Sequence, residues 1–427
     1  MLFRNPQGTL LVGSDPEARR AVSDILQEAV KGADAYLAVR RAVRREEGAL
    51  RVGNLFVPEG ELGEVAFVAV GNCAAPMAQA LHDVLGEQLT QGFVAGPMPP
   101  PPPWPFLYYP VVDPVLPSPE SVGVADHALE LAASLRKRDL LIPLLSPGAL
   151  GMLGSPPPGV FLEEYREVLE TVAKGPEGAS LLPVAAALWG RAQGGRLARA
   201  AAGVRVETLL IESGEGGTPV AGMPTLPLGE PSKETLRKAL DARGLLSRLP
   251  RALTDPFHNG PLPFPERVHS VVVGGPTDAL EAAGECASDH RHHPRLLGVH
   301  DPSPPREAAR NLTSAVEDFA SLLPPKPGEG LALFQGLSLG RPEGGITRED
   351  LADFLEEAHR TLLRRKTLVA VLLTSGSLGE RTRPSGGIVG AETPFDRRTF
   401  LQGGTGALDL RPGFSDVGAV AMAYLTR

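Results

Sequence analysis

The feature that most constrains this fold is a short apolar run that ends at a glycine and leads directly into a helical pattern. Residues 65–70 read VAFVAV, Gly71 follows, and residues 74–86 repeat apolar side chains at helical spacing. An apolar run of this length, rich in β-branched residues, indicates a strand buried on both faces. The segment therefore predicts a strand, a tight turn and a helix, which together form the repeating unit of parallel sheets.

The same alternation recurs along the chain. Two surface helices joined at residues 31–34 are predicted between residues 15 and 43, and another helix near 184–202. Further strands are predicted at residues 139–146, 206–213, 268–275 and 367–376. Strands that alternate with helices predict an α/β fold with a Rossmann-like, doubly wound parallel sheet and a second α/β domain. We place the boundary at residue 257, in a loop-rich zone, which gives domains of residues 1–256 and 257–427.

Composition and charge exclude several classes of protein. Acidic residues number 50 and basic residues 42, so the formal net charge is −8. This sign does not suit a nucleic-acid or anionic-membrane binder. No run approaches the roughly 18 apolar residues that span a bilayer, and Cys73 and Cys286 lie too far apart for a disulfide framework. We expect a cytoplasmic protein with no nucleic-acid or membrane partner, and a homo-oligomer is compatible with the sequence.

The histidine-rich segment 288–294, SDHRHHP, raises the question of a metal site. Zinc sites usually combine closely spaced ligands with a second pair farther along the chain, and no such second pair follows here. The segment is therefore predicted to be an exposed polar loop, and no metal ligand is assigned.

Two glycine-containing turns are candidates for anion binding, because backbone N–H groups at such turns can face a phosphate or carboxylate. In LLSPGALGML (144–153) the turn residues are Ser146 and Gly148. In GRAQGGRLARA (190–200), the glycine pair is flanked by guanidinium groups, which gives the candidates Arg191, Gly194, Gly195 and Arg196. The sequence contains neither G-x-G-x-x-G nor G-x-x-x-x-G-K-[ST], so nucleotide binding of the nicotinamide or Walker type lacks its fingerprint.

Taken in order, these segments resemble the class II glycerate kinase family, whose members carry a C-terminal MOFRL domain. The resemblance covers nearly the whole chain and is closest at residues 33–53, 68–86, 193–201, 243–253 and 267–283. It implies that the second α/β domain is MOFRL-like. It also implies phosphate transfer from ATP to D-glycerate with a divalent cation, giving 2-phosphoglycerate.

The chain differs from the family pattern mainly at charged positions. The family turn G-K-A-A reads here Gly71, Asn72, Cys73, Ala74, and the family loop S-G-G-G-S-[AS]-L acquires Pro147. The basic residues that precede G-G-R-L-A in the family are replaced over residues 185–193, and residues 374–391 contain no aspartate. The resemblance places two further residues, Asn72 and Thr405, in the cleft. It leaves two acids, Glu212 and Glu349, as candidate magnesium ligands.

Phosphoryl transfer needs cations that face the phosphoryl group, acids that hold Mg²⁺, and backbone amides. Our leading hypothesis is therefore a glycerate 2-kinase-like protein with impaired or lost phosphotransferase activity. Such a protein is a binding or scaffolding relative of the kinases. It holds a small hydroxy acid or a nucleotide, and no cofactor is assigned to it. The alternative is an active kinase for glycerate or a related hydroxy acid that uses ATP and Mg²⁺. In that case Arg191 grips phosphate and Glu212 or Glu349 holds the metal. An oxidoreductase ranks last, because the dinucleotide fingerprint is absent.

Overall fold

The computed structural model of the chain describes residues 3–4, 15–111, 113, 115–175, 177–212, 223–259, 263–322, 329–337, 346–362, 366–374, 383–392, 394–404, 406–410 and 418–426. The strands in these ranges are β1 (Val43–Glu46), β2 (Ala49–Val52), β3 (Leu55–Pro58), β4 (Val65–Val70), β5 (Leu89–Gly96), β6 (Leu107–Pro110), β7 (Leu140–Leu145), β8 (Arg205–Ile211), β9 (Val268–Gly274), β10 (His292–Asp301), β11 (Gly330–Leu337), β12 (Thr367–Leu373), β13 (Gly386–Gly390), β14 (Ala407–Leu408) and β15 (Ala419–Leu425).

The α-helices in the same ranges are α1 (Pro16–Gly32), α2 (Ala35–Ala42), α3 (Ala74–Leu85), α4 (Pro119–Ser134), α5 (Ala149–Met152), α6 (Leu162–Ala173), α7 (Gly178–Trp189), α8 (Arg196–Ala200), α9 (Glu230–Ala242), α10 (Arg251–His258), α11 (Pro276–Asp289), α12 (Pro305–Leu322), α13 (Arg348–Thr361) and α14 (Arg397–Leu401). Short 3-10 turns lie at Glu59–Glu61, Gly86–Gln88 and Leu246–Arg248. Within these described ranges, no helix combines the length and the apolar character that crossing a bilayer demands.

The first large sheet confirms the predicted doubly wound parallel arrangement. Its strand order is β6-β5-β4-β7-β8-β9, and every pairing is parallel. From β4 the chain moves outward to β5 and β6, and then returns to the other side of β4 to add β7, β8 and β9. The order therefore reverses between β4 and β7, and the carboxyl ends of these two strands form the topological switch point at which α/β proteins bind ligands.

The second large sheet is mixed, with the order β10-β11-β15-β12-β13-β14. Strand β15 runs antiparallel to both of its neighbours, β11 and β12, whereas β10 and β11 are parallel. The predicted second α/β unit is thus confirmed. The division at residue 257 stays a prediction, and strand β9, which follows it, pairs with β8 in the first sheet.

The two N-terminal helices are amphipathic, as their predicted surface position requires, and their apolar faces are covered by a shared core. Arg20 of α1 and Arg40 of α2 are exposed on the opposite faces. Val22, Ile25 and Leu26 of α1 are fully buried in a core that also contains residues of both sheets. A Cβ atom at Gly32 would lie 2.5 Å from the Cβ of Ala282 in α11, so α1 and α11 cross in close contact. Helical periodicity identifies one apolar stripe, but it does not reveal which layer covers it.

Four other helices cover the opposite faces of the two sheets. Helices α4 and α8 pack on the first sheet, and α12 and α13 pack on the second. A separate apolar cluster joins α6, α7, α9 and α10 around the buried Trp189, whose indole N–H donates to the Leu253 carbonyl over 2.9 Å. This helical cluster follows β7 and β8 in the chain and so lies near the carboxyl edge of the first sheet.

The histidine-rich segment is largely exposed, as its polarity predicts, but it is not a loop throughout and His292 is buried. Helix α11 runs to Asp289, and β10 begins at His292, which is buried and stacked on Tyr424 with 3.9 Å between ring centroids. Gly330 leaves room for this ring, since a Cβ atom there would lie 2.1 Å from Nε2 of His292. Burial lowers the pKa of His292. The described residues contain no group of three or more side chains able to hold a metal ion.

A buried carboxylate joins the two helices that cover the second sheet. Glu357 of α13 is 2% exposed. It accepts a hydrogen bond of 2.6 Å from Arg360 in the same helix and another of 2.9 Å from Arg310 of α12. The Arg360 guanidinium, with Arg310, lowers the pKa of this carboxyl to about 2.

We predict that Glu357→Gln lowers the free energy of unfolding at pH 7 by about 2 kcal/mol, because two guanidinium groups lose a buried anion. The folded-state pKa lies below the ordinary value of 4.5, so the charged carboxyl stabilises the protein above about pH 4.5, and this contribution fades as the pH falls toward 2. Urea titrations at pH 7 and pH 3 should show the difference between wild type and variant shrinking at the lower pH. Glu170→Gln is the matched control, since Glu170 forms only an exposed pair with Lys174 at 3.5 Å. Equal losses in both variants would contradict the assignment.

Candidate functional site

The turns that follow β4 and β7 face each other across the switch point and are tied together by hydrogen bonds. The backbone N–H of Asn72 donates to the carbonyl of Pro147 over 2.9 Å, and the N–H of Cys73 donates to Oγ of Ser146 over 3.0 Å. In the other direction, the N–H of Ser146 donates to the carbonyl of Val70 over 3.1 Å. We call this pair of turns, residues 71–73 and 146–148, the crevice.

Glycine is required at both turns for different reasons. Gly71 has a φ of +124°, and a Cβ atom there would lie 2.4 Å from both the carbonyl oxygen and Oγ of Ser146. Gly148 adopts the left-handed conformation, with a φ of +89°, and starts the short helix α5. Gly71 therefore allows the close approach of the two turns, whereas Gly148 allows the left-handed backbone from which α5 starts.

The start of α3 has few amide groups available for an anion. The N–H groups of Asn72 and Cys73 donate across the crevice, and that of Ala74 donates to the carbonyl of Gly71 over 3.2 Å. Pro76 has no N–H at all. Phosphate-binding turns instead direct several unengaged amides at their ligand. In this conformation, therefore, the turn bonds to its neighbour instead of forming a phosphate cradle.

The glycine–arginine turn, residues 190–196, lies beside the segment that continues from the crevice. Nε2 of Gln193 donates to the carbonyl of Leu150 over 3.1 Å, and the N–H of Arg191 donates to the carbonyl of Ser155 over 3.1 Å. The helix predicted near 184–202 is therefore wrong as one element. It is interrupted because Gly194 and Gly195 take left-handed conformations, with φ of +62° and +78°.

Both candidate arginines of this turn have protein partners. Arg191 is exposed and forms an ion pair of 2.7 Å with Asp126 of α4. Arg196 points inward and donates to the main-chain carbonyls at the end of α7 and in the following turn. Burial, and then the neighbouring Arg199, lowers the pKa of Arg196. The assignment of either arginine as a phosphate ligand stays a prediction, and each would have to leave its present partner to fulfil it.

The structure separates the two candidate acids. Glu212 follows β8 at the carboxyl edge of the first sheet, where its N–H donates to the carbonyl of Gly274 over 2.9 Å. Its side chain lies close to Gly275, which precedes α11. Glu349 lies in the first turn of α13, and its described hydrogen bond, 3.0 Å long, comes from Nε of Arg348. Helix α13 packs on the second sheet, so the described contacts of Glu349 do not connect it to the crevice. Thr405 lies outside the described residues.

Two buried polar residues in the segments beside the crevice are not among the predicted site residues. Gln193 and Ser155 are both fully buried, and within the described part of the chain neither Oε1 of Gln193 nor Oγ of Ser155 has a hydrogen-bond partner. The position of Gln193 immediately before the glycine pair is the one signal in the sequence that pointed to it. Nothing in the sequence pointed to Ser155, because a serine before three prolines is typical of a surface loop.

Comparison with known proteins agrees with this architecture. Residues 21–257 match the family described as a domain of unknown function, DUF4147. This match covers more than half of the chain, so the protein belongs to that family. The expected glycerate kinase resemblance is confirmed at this level.

Three curated relatives were found at modest identity. The chain is 29% identical over 249 residues to a glycerate kinase of Danio rerio, which covers 55% of this chain and 49% of the relative. It is 27% identical over 198 residues to D-glycerate 2-kinase of Thermotoga maritima, covering 44% and 46%. It is also 27% identical over 289 residues to a putative hydroxypyruvate reductase of Agrobacterium vitis, covering 67% and 62%. The first two alignments span about half the length of each relative.

Two solved structures share the fold over nearly the whole chain. The crystal structure of glycerate kinase from Thermotoga maritima superposes with a TM-score of 0.75 at 19% identity, covering 95% of this chain and 99% of that one. The PH0495 protein from Pyrococcus horikoshii OT3 gives a TM-score of 0.74 at 20% identity, covering 96% and 98%. At such identities the likeness establishes the fold alone.

We predict that Ser146→Ala destabilises the protein by about 1–2 kcal/mol, because the buried N–H of Cys73 loses its acceptor while the side-chain volume barely changes. Thermal or urea unfolding monitored by circular dichroism measures the loss. Ser134→Ala is the control, since the Ser134 hydroxyl donates to a carbonyl at the exposed end of α4. A neutral effect of Ser146→Ala would show that the bond across the crevice is not needed.

Proposed function

We propose that the chain binds a small hydroxy acid or a nucleotide at the crevice, and that its transfer of phosphate from ATP to glycerate is impaired or lost. The observation that carries this proposal is the engagement of the crevice donors. The N–H groups of Asn72 and Cys73 donate to the facing turn, the guanidinium of Arg191 forms an ion pair with Asp126, and that of Arg196 donates to helix carbonyls.

The neutral side chains at the crevice give the proposal its physical basis. Asn72, Ser146 and Gln193 offer amide and hydroxyl groups, which accept or donate hydrogen bonds but do not neutralise a triphosphate. Loss of one donor that stabilises charge in a transition state already slows catalysis about a hundredfold to a thousandfold. A hydroxy acid, with one carboxylate and hydroxyl groups, is less demanding, and it is also the substrate type in the names of two curated relatives.

The position of Glu212 favours the alternative, an active ATP- and magnesium-dependent kinase. This acid lies at the carboxyl edge of the parallel sheet, beside the start of α11. Mg²⁺ is often held by one or two carboxylates together with substrate phosphates and water, so a single acid from the described residues is compatible with it. The charge needed at the transferred phosphate would then come from Arg191 after release from Asp126.

Purified protein incubated with ATP, Mg²⁺ and D-glycerate distinguishes the two proposals. We expect ADP release at the level of a blank without D-glycerate, together with a rise in melting temperature on addition of D-glycerate or ATP, since a ligand of the folded state stabilises it. ADP released in step with 2-phosphoglycerate would overturn the proposed impairment and establish the kinase. Absence of both turnover and stabilisation would reject the crevice as a site for either ligand.

Restoring a cation at the crevice provides a gain-of-function test. We predict that Asn72→Lys tightens ATP binding about tenfold, because an ammonium group placed at the turn attracts the phosphates. The gain should shrink at high salt, as expected for a partly exposed charge pair. Isothermal titration at low and high salt measures both effects. Thr90→Lys makes the same charge change at the exposed amino end of β5, and an equal gain in that variant would assign the effect to net charge instead of the crevice.

A further inference from the structure

We propose that Arg196 is a positioning residue of the crevice: it fixes the glycine–arginine turn from inside, and thereby holds the Gln193 amide against the segment that follows β7. Only the effect on ligand binding depends on the function proposed above. The positional effect is a property of the fold and is tested separately.

The first observation is the number and kind of contacts made by the Arg196 guanidinium. Nη1 donates to the carbonyls of Ala187, Gly190 and Gln193 over 2.9, 3.1 and 3.0 Å. Nη2 donates to the carbonyl of Leu188 over 2.8 Å. Two of these acceptors belong to the last turn of α7, where carbonyls have no partner within the helix. A single side chain therefore caps α7 and also holds the turn that follows it.

The electrostatic setting suits this role. The described part of the chain offers Arg196 no carboxylate, and its guanidinium is partly removed from water, which lowers its pKa. The carboxyl end of a helix carries a partial negative charge, which favours a cation at this place. A planar guanidinium reaches several carbonyls at once, whereas the ammonium of lysine has three donors on a flexible stem and matches this set less well.

The two glycines of the turn are packed against the same guanidinium and its neighbours. A Cβ atom at Gly194 would lie 2.4 Å from the carbonyl oxygen of Ala187 and 3.0 Å from Nη1 of Arg196. A Cβ atom at Gly195 would lie 2.8 Å from the ring of Phe264. The sequence G-G-R therefore works as one unit, in which the glycines allow the turn to close over the arginine.

The turn transmits its position to the crevice through a short run of hydrogen bonds. Arg196 holds the Gln193 carbonyl, and the Gln193 side chain donates to the carbonyl of Leu150 in α5. At the start of α5 the N–H of Ala149 donates to the carbonyl of Ser146, whose hydroxyl accepts from Cys73. Movement of the glycine–arginine turn thus removes a restraint on the very turn that carries Ser146.

Hydrogen exchange followed by mass spectrometry tests the positional effect in the full chain. In Arg196→Met we expect amides of residues 187–195 and of residues 149–154 to exchange about tenfold faster than in wild type, because the turn and α5 open locally. Arg196→Lys should restore part of the protection. Faster exchange confined to residues 187–195 would reduce Arg196 to a helix cap and overturn the proposal, and unchanged exchange in both segments would overturn it entirely.

Arg243→Met is the matched control. Arg243 donates to the carbonyl of Thr171 near the end of α6 over 2.8 Å, so it makes the same kind of contact in the same helical cluster. This variant should leave exchange in residues 149–154 unchanged. Acceleration there equal to that of Arg196→Met would indicate general loosening of the cluster and contradict the proposal.

A ligand titration then separates this proposal from the proposed function. With D-glycerate as the probe, the rise in melting temperature seen for wild type should be lost in Arg196→Met, partly restored in Arg196→Lys, and kept in Arg243→Met. A full rise in Arg196→Met would contradict the positioning role at the level of binding. If wild type itself shows no rise with D-glycerate or with ATP, the proposed function fails, and the exchange experiment still decides the role of Arg196.

Discussion

The structure depends on the mutual hydrogen bonding of two turns at the point where the order of a parallel sheet reverses. A doubly wound sheet leaves a gap there, because its helices depart to opposite faces. In this chain, the turn after β4 and the turn after β7 close that gap with their own donors and acceptors. The backbone amide of Asn72 donates to Pro147 and that of Cys73 to Ser146, and the absence of a side chain at Gly71 allows the approach.

This arrangement determines which chemistry is available at the site. A phosphate-binding turn needs amides and cations that are free to face the ligand, whereas here they are committed to protein partners. Arg196 likewise has protein partners in this structure, because its guanidinium donates to carbonyls at the end of α7. The fold of a glycerate kinase relative is thus present, and residues 71–73 and 146–148 of the crevice include no acidic or basic side chain.

Sequence analysis predicted correctly those features that depend on residues close together in the chain. The strand at residues 65–70 and helix α3 were predicted correctly, because burial on both faces and helical periodicity are written into neighbouring residues. The continuous helix near 184–202 was wrong because Gly194 and Gly195 take left-handed conformations and fold the turn over the guanidinium of the adjacent Arg196, a side-chain contact that periodicity does not reveal. His292 was expected in a polar loop, yet it is buried because Tyr424, more than a hundred residues away, stacks on it.

By itself the sequence determined the α/β class, four of the six strands of the first sheet and the family to which the chain belongs, since these follow from local patterns and from motifs of adjacent residues. Strands β5 and β6 were not predicted. Only the tertiary structure decided that α1 packs against α11 in a core that contains residues of both sheets, that Glu212 lies at the edge of the first sheet while Glu349 lies in the first turn of a helix on the second, and that Arg196 points inward. The physical reason is that a hydrogen bond or a buried charge is defined by its partner. For Glu212 and His292 the partners come from distant segments that only the packing of the sheets and helices brings together, whereas Arg196 turns inward to carbonyls of residues 187–193 in the same turn.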